Sequence, residues 1–279
     1  MAAPILYKHD DPGAPQLDGS KGSILNMLIK CLVEGFGARA GAGWQIAFDL
    51  RAEHCAILAP SDNGWFYRFN DAHTSVFGSA YCLFDTCESF IDFNNVSSVI
   101  SYPPLSGRVS NALHQGILRS TNWWVVADNN TCYIITIHQG HPMFCCLGRA
   151  KAGATNTTQV SLGADAYWSD DDAYKLGRPD RGIIDFPISD NIHKQTHDML
   201  KTTSNLISGG KANYGTQPLY SDGLYTGIAF RDSSNRVTCV MPGFFGALFS
   251  PHTQKEFGET DSEYVYFPGY AISLNDWWV

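Results

Sequence analysis

The hydrophobic and polar positions of this chain fall into two periodicities. Near the N-terminus Ile24, Leu25, Leu28, Cys31 and Leu32 recur at spacings of three and four, which places them on one face of a helix. Ser23 stands where a cap is wanted and Gly35 where a left-handed residue ends the last turn, so a helix is predicted over 23–34. A second helix is predicted over 191–207, where Ile192, Thr196, Met199, Thr203 and Leu206 lie near one face and Gly209-Gly210 ends it. Most of the remaining signal is strand, as short apolar runs bounded by turn residues. The segments 54–59 and 65–70 flank Asp62-Asn63-Gly64, whose Asn-Gly pair suits a tight primed turn, and a third strand follows over 76–84. Trp123–Ala127 and Thr131–Ile137, rich in aromatic and β-branched residues, flank Asp128-Asn129-Asn130 and predict a second hairpin. Further strands are predicted at 143–147, 224–230, 236–241 and 244–249, with a short helical turn at 88–93.

Residues 1–22 read as an extended N-terminal arm, because Pro4, Pro12 and Pro15 block helix and Asp11-Pro12-Gly13 is turn chemistry. Residues 23–279 then form a globular domain, with a possible subdivision or surface excursion near 150–182. There the chain turns polar and irregular and carries Asp170-Asp171-Asp172. The pattern as a whole predicts an α+β fold, mainly antiparallel β-sheet with a few helices (about 23–34 and 191–207).

Composition narrows the function classes. Charged residues are only 16% of 279, a surface that suits extensive protein–protein contact. Acids outnumber strong bases by 27 to 19, the formal charge is −8, and no basic run exceeds two residues. Direct nucleic-acid binding, which needs Lys and Arg to replace phosphate counterions, is therefore not expected. The start Met1-Ala2-Ala3-Pro4-Ile5-Leu6-Tyr7 lacks the basic and apolar regions of a signal peptide, and no run approaches the roughly 20 apolar residues of a membrane helix. Folding in a cytoplasm, with no membrane partner, is the expectation. The eight cysteines (31, 55, 82, 87, 132, 145, 146 and 239) mostly sit in apolar segments, with no C-x-x-C, and are expected to be buried free thiols.

Each candidate for chemistry meets an ordinary explanation. His193 and His197 have the spacing of H-E-x-x-H, but Lys194 occupies the position of the catalytic Glu. His138 and His141, with Cys145 and Cys146 behind them, end a strand before Pro142, which a turn explains. Asp170, Asp171 and Asp172 lack the alternation and the glycine of a calcium loop. Gly35, Gly37, Gly41 and Gly43 follow a helix instead of opening one, so they do not make a nucleotide cradle. There is no G-x-S-x-G elbow. The aromatic clusters Trp65-Phe66-Tyr67, Trp123-Trp124 and Trp277-Trp278 could stack on sugars, but neighbours on a strand point to opposite faces. In each pair one ring is expected to face the core. No catalytic, cofactor-binding or metal-binding residues are assigned.

Several segments in order resemble a family of tailed-bacteriophage virion proteins described as structural. They are Ala14-Pro15-Gln16-Leu17-Asp18-Gly19, Gly22-Ser23-Ile24-Leu25, Cys31-Leu32-Val33-Glu34-Gly35-Phe36-Gly37 and Gly43-Trp44. Trp65-Phe66-Tyr67-Arg68-Phe69-Asn70-Asp71, then Trp123-Trp124-Val125-Val126-Ala127-Asp128 with Thr131-Cys132-Tyr133, continue the match. Met241-Pro242-Gly243-Phe244 with Ser250-Pro251-His252 extends it thinly toward the C-terminus, and residues 150–220 do not align. Phe36 replaces a Tyr of the family pattern, and Phe69-Asn70 a Val-Asp pair. The resemblance implies a non-enzymatic component of a virion, contacting copies of itself in a homo-oligomer and other phage structural proteins in the tail, neck or baseplate. The arm and the aromatic C-terminus are the segments expected to make those contacts. A host-surface (glycan) binding module of the particle is the alternative, and a cell-envelope-degrading enzyme a more distant one.

Overall fold

The computed structural model describes residues 3–61, 66–74, 80–97, 108–110, 122–138, 141–149, 151–152, 160–162, 200–202, 211–214, 228–231, 237–240, 242–246, 258–267, 270–275 and 277. Over these residues the protein is mostly antiparallel β-sheet with one short helix. The chain divides into two compact units. One comprises Ile5–Gly148 with Gly163–Asp165; the other comprises Met1–Pro4, Arg149–Leu162 and Ala166–Val279.

The first unit opens with β1 (Ile5–Lys8), then helix α1 (Ser23–Ile29), which continues as a π-helix over Lys30–Glu34. Strands β2 (Gln45–Leu50), β3 (Cys55–Ala59), β4 (Phe66–Thr74) and β5 (Ala80–Cys87) follow. The small hairpin β6 (Ser89–Phe90) and β7 (Val96–Ser97) comes next, then β8 (Arg108–Ser110). Strands β9 (Trp123–Ala127), β10 (Thr131–His138) and β11 (His141–Gly148) complete the unit. The sheets have the orders β2-β3-β4-β5-β8 and β1-β9-β10-β11, with every pairing antiparallel.

The period-two alternation of the strands decides what each face packs against. Ala56 and Leu58 of β3 join Tyr67 and Phe69 of β4, Cys82 and Phe84 of β5, and the apolar stripe of α1 in one core. Trp123, Val125, Ala127, Cys132 and Ile134 of the other sheet close that core. Cys55 and Ile57 point the opposite way and, with Phe93, form a smaller cluster edged by Phe48, Phe66 and Phe90. All of β9 is buried, and so are residues 131–135 of β10, so both faces of these strands are covered. Their uninterrupted apolar sequence is that of strands buried on both sides.

Residues 5–22 are not a free arm. Tyr7 pairs with Val125 across β1 and β9 and is fully buried, as is Leu17. The indole of Trp123 donates to Pro15 O at 3.1 Å, and Asp11 receives Arg39 at 2.7 and 3.1 Å. The prolines rule out helix but not a strand at Ile5–Lys8, which completes the four-stranded sheet. Removing residues 1–16 would therefore strip an edge strand from this unit, not a detachable contact.

Other local expectations shift as well. Ser23 is the first helical residue; the cap position is Gly22, at φ 81°, and supplies no side chain. The Ser23 hydroxyl instead donates to Ser20 O at 2.8 Å. Gly35 has a positive φ of 82° but ψ 172°, outside the left-handed helical basin, because the last turn is π and closes through Gly35 N to Lys30 O. The helical turn expected at 88–93 is the β6–β7 hairpin, since Asp92 Oδ1 accepts from Asn94 N and Asn95 N and folds the chain back. The Asp62-Asn63-Gly64 turn lies outside the described residues, although β3 and β4 pair antiparallel as it requires.

The second unit contains β12 (Lys151–Ala152), β13 (Val160–Leu162), β14 (Leu200–Thr202), β15 (Lys211–Tyr214), β16 (Ile228–Arg231) and β17 (Val237–Val240). It ends with β18 (Phe244–Gly246), β19 (Tyr264–Phe267) and β20 (Tyr270–Ser273). Of the helix expected over 191–207, the described residues are Leu200–Thr202, and they are strand paired with Val160–Leu162. The presumed helical face rested on two β-branched threonines, which favour strand. Near the C-terminus Trp277 is 2% exposed and its indole donates to Ser273 O at 2.7 Å. Its ring lies where a side chain on Gly243 would be, about 2.1 Å from an added Cβ, so only glycine fits there. The aromatic tail, as far as it is described, docks on its own unit.

Candidate functional site

In the first unit, titratable side chains gather where α1 begins. Tyr67, Phe69 and Asp71 are spaced by two on β4, and all three are buried on the core side of the strand. The third is a carboxylate with no exposure to solvent. Asp71 Oδ2 accepts from Ile24 N at 2.9 Å and Leu25 N at 3.0 Å, two of the donors that a helix leaves unbonded at its start. The backbone joins in: Gly22 N donates to Asp71 O at 3.1 Å, and Asp71 N donates to His54 O at 2.9 Å. Burial raises the Asp71 pKa from its ordinary value to about 7, against the lowering effect of the backbone N–H groups of Leu25, Ile24 and Gly22.

His54 makes the other side of this junction. It holds the left-handed conformation at φ 59° on the turn between β2 and β3. Its ring lies so close to Gly22 that an added Cβ there would be 2.4 Å from Nδ1. Outside the junction an open groove of about 490 Å³ runs along α1, lined in part by Asp18, Lys21, Lys30, Glu34, Arg51 and His54. Its charges are largely paired: Lys30 and Arg51 each meet Glu34 within 2.7 Å, and Arg51 also meets Asp49 at 2.8 Å. The hydrogen bond from Lys30 is the first cause of the lowered Glu34 pKa, and that from Arg51 the first cause for Asp49. The groove is an open surface whose Lys30, Glu34 and Arg51 charges are paired. The donors at the helix start are already taken, Ile24 N and Leu25 N by Asp71 and Ser23 N by Ser20 O.

The other sequence candidates are placed as follows. Gly35, Gly37, Gly41 and Gly43 form a close-packed loop: an added Cβ at Gly41 would lie 2.2 Å from Val33 O, and at Gly37 2.3 Å from Pro12 O. That loop accepts the Tyr7 hydroxyl at Ala40 O, 2.7 Å away, and seats the strand β1 segment. Trp123 and Trp124 are both buried, at 0% and 5% exposure, and Trp124 stacks edge-on with His9 at 5.2 Å. The expectation that one ring faces the core holds for Trp123, but Trp124 is not exposed on the other side. Tyr67 is buried and its hydroxyl accepts from Gly148 N at 2.9 Å; Trp65 and Trp278 lie outside the described residues. Cys31, Cys55, Cys82, Cys87 and Cys132 are buried thiols not joined in disulfides. His138 and His141 are opposed in the β10–β11 register, while His193, His197 and Asp170–Asp172 lie outside the described residues. Among the described residues no group of three or more His, Cys, Asp or Glu is placed to hold a metal ion.

Sequence reasoning passed over Asp71 and His54. A signal for Asp71 was present: an acidic residue on the inward parity of an apolar strand. Among the described residues the geometry is that of structural carboxylates and close-packed glycines. Compared with protein-family models, with curated proteins and with solved structures, the chain matches none.

Proposed function

We propose that this protein is a non-enzymatic structural component of a bacteriophage particle, making subunit contacts in the tail, neck or baseplate. The observation that carries this reading is where the family-like residues lie. Leu17, Ile24, Leu25, Cys31, Leu32, Trp44, Tyr67, Trp123, Val125, Ala127 and Cys132 come from seven separate family-like segments, and all belong to the larger core of the first unit. Asp71 and Asp128 from the same segments are buried hydrogen-bond acceptors. The resembling segments are therefore the framework of one folded unit, as suits a family defined by its architecture. The glycan-binding alternative loses its best ring, since Trp124 is nearly covered.

Quantitative mass spectrometry of purified, DNA-filled particles tests the proposal by counting copies against the portal and major capsid proteins. A few to a few tens of copies place the protein at a symmetry-limited tail or neck site. Hundreds of copies move it to the tail tube or capsid surface. Absence from particles rejects the structural reading.

A further inference from the structure

Asp71 is a fully buried carboxylate that joins three elements, and one of its oxygens is left over. Oδ2 takes both N–H groups at the start of α1, whereas Oδ1 is buried and meets no protein donor. The residue's own backbone ties Gly22 and His54 to β4. The register of β4 against β5 shifts between Asn70 and His73, so the strand is already irregular at this point. Ionising such a group puts a charge in the core that the two N–H groups on Oδ2 offset only in part, because Oδ1 has no donor among the described residues. Opening Gly22 and the first turn of α1, the parts Asp71 itself holds, lets water reach Oδ1.

We infer that Asp71 is a proton-operated latch, which in its neutral form fastens the start of α1 to β4 and on ionisation lets that turn open. The charged and titratable groups around the junction are Lys21 beside Gly22, Glu53 and His54 on the turn before β3, and Cys55 on β3. Burial is the first cause of the rise in the Cys55 thiol pKa, with Glu53 and then Asp71 adding to it, and no nearby cation lowers the Asp71 pKa. Burial likewise brings the Asp71 titration to about 7, against the lowering effect of the backbone N–H groups. The latch is independent of the virion reading, because it needs only the folded first unit.

Two measurements on the full chain test it. The first is a pH titration of protein labelled with ¹³C at the aspartate carboxyls. One resonance is expected to titrate near neutrality and to vanish in Asp71→Asn; if every aspartate of the wild type titrates below about pH 5, the latch is overturned. The second is hydrogen exchange at the Ile24 and Leu25 amides, corrected for the intrinsic pH dependence of exchange. Protection is expected to fall roughly tenfold between about pH 5 and pH 8 in the wild type, and to stay within about twofold in Asp71→Asn. A wild type with no fall, or a variant with the same fall, overturns it. Should Asp71→Asn fail to fold, the wild-type carboxyl titration decides alone.

Discussion

Asp128 and Asp71 are both buried in the first unit and each accepts from two backbone N–H groups, but Asp128 serves its own turn while Asp71 serves a helix 46 and 47 residues away. Asp128 Oδ1 binds Asn130 N at 2.8 Å and Thr131 N at 2.6 Å, which shapes the connection between β9 and β10. Such a turn forms from neighbouring residues and persists in part when the rest of the chain is disordered. The bonds of Asp71 exist only after α1, β4 and the His54 turn have met. The first carboxylate is a local instruction; the second is a consequence of the assembled core. The difference shows in energetics, because a local bond lost on mutation is partly lost from the unfolded ensemble as well, whereas a tertiary one is lost from the native state alone.

The largest expected effect attacks the Asp128 region from outside its turn. Gly148 has φ +110° and an added Cβ would lie 2.1 Å from Asn130 O, so Gly148→Ala forces backbone against backbone. A loss of about 4 kcal/mol is expected in chemical denaturation. A loss under about 1 kcal/mol would mean that the hairpin can yield, and that Asp128 does not fix it.

Next is Asp71→Ala, which strands two buried helix donors. Measured at about pH 5, it is expected to cost about 3 kcal/mol. The wild-type pH dependence comes third. The folded-state pKa of Asp71 lies at about 7, above its ordinary value of 3.8. Its contribution to stability is thus fully present below about pH 4 and is lost as pH rises through about 7. Stability should fall by about 2.5 kcal/mol between about pH 5 and pH 8, and Asp71→Asn should flatten that slope. Denaturant melts across this range check it; a curve that rises instead would assign the dominant titration elsewhere.

Asp128→Ala is expected to cost about 2 kcal/mol, less than its tertiary counterpart, because its turn also orders the unfolded chain. If Asp128→Ala proves costlier than Asp71→Ala, the distinction between local and tertiary capping fails for this protein. The smallest effect serves as the control: Arg51→Ala removes exposed ion pairs to Asp49 and Glu34 and should cost no more than about 0.5 kcal/mol.

Legibility in the sequence follows the same division. The Asp128 hairpin was readable because its turn residues and flanking apolar runs are contiguous, and the register pairs Cys132 with Ala127 as that reading requires. Helix α1 was readable from its apolar stripe. Its cap was misassigned to Ser23 because the cap position is Gly22 and the side chain that accepts the first-turn N–H groups is Asp71 on β4, beyond any local pattern. Strand β1 was hidden behind its prolines, and β2 behind a mixed sequence, Gln45–Leu50, whose exposure is intermediate over most of its length. The burial of Trp124 was missed because alternation says which way a ring points and not whether anything covers it.

By itself the sequence determined the class of fold and where α1, β3, β4, β9 and β10 lie, because periodicity and turn chemistry act over a few residues. It also placed inside the five cysteines whose burial is described, since that follows from their apolar context. Only the tertiary structure decided that Tyr7 and Leu17 belong to the core and that the glycines of the 35–43 loop are a close-packed seat. It alone put a carboxylate from β4 under the first turn of α1. Each of these depends on residues far apart in sequence sharing a few ångströms of space, and pairwise proximity of that kind is set by how whole faces pack, not by any one segment.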